Sequence, residues 1–244
     1  MSLFHPINLV CPSCQTLITM AAVGSVNADR RPDLRTDIME DRFQDVTCGS
    51  CGSRFRLPPE FNLVDVGRGQ WIASLPAARM PDYLAIEDEV SELFATSYGA
   101  RAPLAAQAVG DGLAVRLTFG WPAIREKLLV AEHGFDDVLI EVMKLEFLRR
   151  TPSAPLSPGI ELRFARMIDD MMVFAWIETS TEAAKTSFAV ARTGYDAIAA
   201  NAGAWAATRA RLLDGPFVDM QKLYMGSGRQ VPRVTATEGV AVQG

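Results

Sequence analysis

The sequence predicts an α+β fold, and three observations carry that reading. Short runs alternate with period two, as at residues 113–119 and 160–165, and these mark strands. Longer runs repeat apolar residues at helical spacing, as at residues 84–98, and these mark helices. Two Cys-x-x-Cys pairs, Cys11–Cys14 and Cys48–Cys51, hold all four cysteines and frame the first part of the chain.

Residues 17–23 read as a strand and residues 27–31 as a turn. A short helix follows, because Pro32 suits a first helical turn and Leu34, Ile38, Met39 and Phe43 recur at helical spacing. Arg54-Phe55-Arg56-Leu57 alternates as a strand with one wet and one dry face, and Pro58-Pro59 ends it. Gly67-Arg68-Gly69 suits a hairpin turn before a strand at 71–76, and residues 77–82 read as a linker. In the helix at 84–98, Ile86, Val90, Leu93, Phe94 and Ser97 share one face, with Glu87, Asp88, Glu89 and Glu92 expected in water; Asp82 is placed to cap it.

Gly110-Asp111-Gly112 turns the chain into the strand at 113–119. Ile124, Leu128 and Ala131 mark a helix that Gly134 stops, with Arg125-Glu126-Lys127 expected on its solvated face. Asp136 caps a second helix that runs to Pro152. The Pro-rich residues 151–159 form an internal boundary. Beyond it a hairpin turns near Asp169-Asp170, a third strand lies at 186–191, and a helix at 195–213 is weakened by Gly203. Residues 217–225 suit one short helical turn, and residues 226–244 lack period and are expected to be a disordered tail. The expected units are therefore 5–82, 83–150 and 160–225, followed by that tail.

Four thiolates arriving as two close pairs are what a tetrahedral zinc ion requires. With Cys11, Cys14, Cys48 and Cys51 as ligands no position remains for water or substrate, so the expected Zn2+ is structural. Iron suits the same sulfur cage by ligand type. A disulfide pair needs an oxidising compartment, and residues 1–10 do not read as a secretory signal. A thioredoxin-like pair leaves the second knuckle unexplained. The spacer, residues 15–47, is 33 residues long, more than the roughly 15–20 of a minimal ribbon, so it must carry folded structure. Gly49 and Gly52 suit a ribbon knuckle, whereas Gln15 follows the first one.

These motifs resemble the CpXC proteins of bacteria. The likeness rests on Cys11-Pro12-Ser13-Cys14, on Ser25 to Asp29 with Pro32-Asp33-Leu34, and on Val46 to Gly52. It extends through Phe119-Gly120, Ile124 to Leu128 and Gly134 to Val138 into Glu141 to Leu145. Gly49 stands where the second knuckle would carry proline. The resemblance implies an N-terminal zinc-ribbon-like domain at the four cysteines, followed by a central helical segment. It implies no reaction.

The composition is that of a packed globular chain, with 49% hydrophobic residues and a net charge of −5. No apolar run reaches the ~18 residues of a membrane helix, so no membrane partner is expected and a cytoplasmic setting is. His5 and His133 are the only histidines, and a Cys–His nucleophile would have to leave the metal cage. Asp136-Asp137 and Asp169-Asp170 suit capping and turns better than acid–base catalysis. The chain is therefore expected to be no enzyme but a zinc-stabilised binding or scaffold protein that engages another protein. The alternative is a nucleic-acid-binding ribbon in which Arg54 and Arg56 track phosphates. Against it, acids slightly outnumber arginines through residue 82, and a Zn(Cys)4 centre adds about two negative charges.

Overall fold

A computed structural model describes residues 2–225 apart from 152, 153, 156 and 158. The expected disordered tail at 226–244 lies outside the described residues. The chain opens with β1 (Leu3–Val10) and β2 (Leu17–Asn27), then α1 (Pro32–Met39), then the small hairpin of β3 (Asp45–Thr47) and β4 (Arg54–Arg56). β5 (Phe61–Asp65) and β6 (Gln70–Leu75) form a second hairpin. Its turn is the predicted Gly67–Gly69, with Gly69 at φ 64°. α2 (Tyr83–Ser97), α3 (Leu104–Gly110) and β7 (Ala114–Phe119) follow, and then α4 (Trp121–Glu132) and α5 (Asp137–Arg150).

The main sheet has the order β1-β2-β5-β6-β7. β2 joins β5 in parallel through residues 25–27 only, so most of the β1–β2 ribbon extends past the rest of the sheet. β7 pairs with β6 in parallel over its whole length, which puts a strand from beyond residue 83 in the same sheet as residues 3–75. Period-two alternation then sorts the side chains. Trp71 and Ala73 face a core shared with Tyr83, Ile86 and Val90 of α2. Ile72 faces the other way, toward Leu34 and Ile38 of α1 and Trp121, Ile124 and Leu128 of α4.

Beyond the Pro-rich boundary, β8 (Ile160–Ile168), β9 (Met171–Glu178) and β10 (Ala184–Ala191) make an antiparallel sheet of order β10-β9-β8. Leu139, Ile140 and Met143 of α5 pack on its Leu162, Phe164 and Phe174, and so do Leu129 and Val130 of α4. α4 therefore lies between two sheets and buries residues all round. The expectation of a solvated Arg125-Glu126-Lys127 face is corrected here: Glu126 and Lys127 are 1% and 2% exposed. Glu87, expected in water on α2, is likewise 1% exposed.

The predicted helix at 195–213 is broken into α6 (Thr193–Ala200), a 3-10 turn at Ala202–Trp205 around Gly203, and α7 (Ala206–Leu212). The chain then returns to the first sheet, and the single turn of α8 (Lys222–Met225) follows. The Pro216 carbonyl accepts a hydrogen bond from the Leu117 N–H of β7 at 2.9 Å. The Phe217 ring packs on Tyr83 and Phe119, with centroids 5.3 and 5.1 Å away. Glu87 explains its burial here: its Oε1 accepts from the Phe217 N–H at 2.9 Å and from Lys222 Nζ at 2.7 Å. Gly215, at φ 97°, makes the approach, since a Cβ there would stand 2.5 Å from Glu87 Oε1. No helix among the described residues is long and apolar enough to cross a membrane.

Candidate metal centre

The two knuckles are the same turn made twice. Cys11 N–H donates to the Thr16 carbonyl at 2.9 Å, and Gln15 N–H returns to the Cys11 carbonyl at 3.0 Å. In the second, Cys48 N–H donates to the Ser53 carbonyl at 2.8 Å and Gly52 N–H returns to the Cys48 carbonyl at 2.9 Å. The turn requires a left-handed residue four places after its first cysteine. Gly52 meets that need at φ 71°, and Gln15 adopts it at φ 62° without being glycine. The departure noted in the first knuckle is thus accommodated without changing the turn.

The β1–β2 ribbon presents one knuckle and the β3–β4 hairpin the other, and the two are joined at a 2.8 Å contact between the Ser13 and Ser53 hydroxyls. The sulfurs interleave: Cys11 Sγ stands 3.7 Å from Cys51 Sγ, and Cys14 Sγ 3.6 Å from Cys48 Sγ. All four lie within 4.8 Å of one another. All are free thiols, spaced far beyond the ~2.05 Å of a disulfide. An S4 tetrahedron around zinc, with bonds of about 2.3 Å, has edges of about 3.8 Å, so the residues fit such an ion. Cys11 and Cys48 are buried, and Cys14 and Cys51 face solvent.

The shifts at Cys14, Cys48 and Cys51 suit a cation between them. The Thr16 hydroxyl, then the Thr16 amide, hold the Cys14 thiol down to about 6. The Cys51 and Ser50 amides lower Cys48. Cys51 behaves oppositely: the Ser53 amide favours its thiolate, but Cys14, burial and Cys48 together push it up to about 12. The thiols of Cys14 and Cys48 are thus lowered while that of Cys51 is held protonated by its bonds to the other sulfurs. A bound cation removes that conflict.

The arginines of the alternative reading lie beside the centre but are engaged. Arg54 pairs with Asp45 across the β3–β4 hairpin. Arg56 lies over the Trp121 ring, 4.7 Å from its centroid, and pairs with Asp41 and Glu182. Arg125 closes the same group, reaching Asp41 and also Glu182 at 3.3 Å. These contacts clasp the β9–β10 turn to the first half of the chain. The histidines are apart from one another in the sequence and the fold. His5 is on exposed β1, and His133 ends α4 and stacks on Phe135 at 5.9 Å. Asp136 caps α5 as predicted, accepting from Val138 N–H at 2.8 Å.

A second gathering of charge escaped the sequence reading. Glu126 Oε2 accepts from Lys144 Nζ at 3.0 Å and from Arg163 at 2.9 Å, while its Oε1 accepts from the Phe164 N–H. Arg163 also reaches Glu161 and Asp219, each at 2.6 Å. Lys144 reaches Glu141 at 2.8 Å, and Lys127 reaches Asp137 at 2.8 Å and Glu141 at 3.5 Å. Arg116 holds Asp137 through two bonds of 2.7 and 2.8 Å. The available signal was weak: Glu141 and Lys144 stand at helical i,i+3 spacing inside an otherwise apolar arc.

Fold and site define an α+β protein with a four-cysteine cluster able to hold a metal ion. The chain belongs to the CpXC protein family, whose model matches residues 9–144. That segment contains both knuckles and the main sheet from the end of β1 onward, and stops at Lys144 within α5. Neither the curated proteins nor the solved structures include a match to this chain.

Proposed function

We propose that Cys11, Cys14, Cys48 and Cys51 hold one structural zinc, and that the protein is a zinc-stabilised binding or scaffold protein without catalytic activity, engaging another protein. The carrying observation is the closed sulfur cage, in which four protein ligands within 4.8 Å leave no position for a substrate. A bound zinc supplies positive charge that lets all four sulfurs be thiolates at once. The chain's own contribution is the pair of matched turns, which aim amide groups at Cys14 and Cys48. A reducing cytoplasmic setting suits such thiolates.

Exposed Val10 and Leu17, which flank the first knuckle as a cross-strand pair, favour a protein-facing surface. Nucleic-acid binding through Arg54 and Arg56 is disfavoured because phosphates would have to displace Asp45, Asp41 and Glu182. The absence of catalysis is supported by the engagement of Asp136 and Asp137 in capping and ion pairing. Metal analysis of the purified protein should give about one zinc per chain, and Cys48→Ser should lose it while the far-ultraviolet spectrum stays largely native. Protein that refolds fully with neither zinc nor iron would overturn the reading.

A further inference from the structure

Among the described residues no strand pairs with the outer edge of the main sheet. β1 is its terminal strand, and residues 2–27 contain no Asp, Glu, Lys or Arg in a chain that is 22% charged. Edge strands are ordinarily guarded by charge, because their free N–H and C=O groups are a template for another strand. Leu3, Phe4 and Val10 on this strand are 58%, 49% and 52% exposed. Among the described residues its guards are Pro6 and the irregularity between Leu3 and Phe4.

The pairing register shows which groups are free. Cys11 N–H bonds to Thr16, and from Phe4↔Val23 to Val10↔Leu17 the pairing runs without a shift. Antiparallel alternation then turns the backbone groups of His5, Ile7 and Leu9 toward β2. Those of Phe4, Pro6, Asn8 and Val10 point outward. Their outward donors are the N–H groups of Phe4, Asn8 and Val10, since proline has none.

We propose that β1 is a dimerisation edge, pairing antiparallel with β1 of a second copy about a two-fold axis at Ile7. In that register Phe4 opposes Val10 of the second copy, and Pro6 opposes Asn8. Every outward donor then meets a carbonyl: Phe4 N–H that of Val10, Val10 N–H that of Phe4, and Asn8 N–H that of Pro6. The missing proline donor costs only the bond to the Asn8 carbonyl. The same register brings exposed Phe4 against exposed Val10 at both ends, on the face where alternate side chains of β1 lie together.

The Phe4–Val10 match at both ends favours a second copy as the occupant, and charge does not oppose it. Two chains of net charge −5 repel in general, but not along a strand without ionic side chains. The Arg31 guanidinium, 5.5 Å from the Phe4 ring centroid, would sit at opposite ends of the paired strands in the two copies, about 20 Å apart. This inference goes beyond the metal-binding reading and does not depend on it.

Sedimentation equilibrium of the full chain should give twice the 26.6 kDa chain mass, with dissociation on dilution. Phe4→Glu should weaken the dimer by at least about tenfold. Phe4→Glu with Val10→Lys should restore it, because each Glu then opposes a Lys; circular dichroism checks that both variants fold. A wild-type protein that stays monomeric to about 100 μM overturns the proposal and leaves the edge to a strand from another protein. A dimer that survives Phe4→Glu, or a folded double variant that remains monomeric, overturns it too.

Discussion

At the knuckles and at the centre of the molecule the chain gathers like charges, and it neutralises them in opposite ways. At the knuckles, what favours the thiolates of Cys14 and Cys48 is the Thr16 hydroxyl and a set of backbone amides rather than a cationic side chain. Around α4 the protein brings both signs: Arg116, Lys127, Lys144 and Arg163 interlock with Asp137, Glu126, Glu141, Glu161 and Asp219. The first arrangement is able to hold an ion from outside, and the second supplies its own counter-charges. The one is the place proposed for zinc, whereas the other binds the family-matched segment to the sheet beyond it. Arg163, Glu161 and Asp219 lie outside residues 9–144, so the two segments share one charged core.

The largest expected effect comes from breaking the charged core. Removing one member strands its buried partners without counter-charge, which typically costs about 3–5 kcal/mol. Lys144→Ala should lower unfolding stability by that amount in urea, because Glu126 and Glu141 both lose an ammonium group about 3 Å away. Bound metal should be retained, since the knuckles lie elsewhere. A loss below about 1 kcal/mol would mean that water already reaches the cluster.

Titration separates the two regions next. Burial opposes ionisation of Asp219, but Arg163 and Lys144 outweigh it and hold its carboxyl down to about 2; Lys127 and Arg116 lower Asp137 against burial in the same way. Folded values below the ordinary 3.8 mean stability that is complete above that range and is lost as pH falls toward 2. Glu141 has the opposite sign. Burial pushes it up to about 7, despite Lys144, so its contribution is complete below its ordinary 4.5 and lost as pH rises through 7. Burial keeps a proton there, and the one surplus carboxylate over the four cations adds to it through Asp219 and Glu126. The melting temperature should therefore peak at about pH 4–5 and decline on both sides. Metal release also weakens the knuckles in acid, so the profile is to be compared with that of chelated protein. A flat profile from pH 6 to 8 would show Glu141 ionised throughout.

Which parts were legible in the sequence follows from the same physics. Chelation by Cys-x-x-Cys is local, so both pairs announced their site, and the helix cap at Asp136 and the turn at Gly67–Gly69 were local too. β1 went unread because Pro6 interrupts its pattern and its apolar residues are exposed. Glu87, Glu126 and Lys127 were assigned to water because charge on a helix ordinarily faces it. Only the second sheet against α4, and the return of Phe217 and Lys222 to α2, put them inside. These are tertiary facts with no signature in a local window.

The smallest effect distinguishes the two arginines beside the knuckles. Arg54, with its side chain 66% exposed, holds Asp45 at the surface, and Arg54→Ala should leave the melting temperature unchanged. Arg56 is only 17% exposed and covers Trp121, so Arg56→Ala loses a desolvated cation–π contact and part of the clasp on Glu182. A fall of about 2–4 °C is expected for a chain of this size. Neither variant should alter binding of single- or double-stranded oligonucleotides at low salt, because the wild type should show none. Micromolar binding that weakens steeply with salt, and is lost in the double variant, would move both arginines from the clasp to a phosphate-binding surface and replace the protein-facing reading.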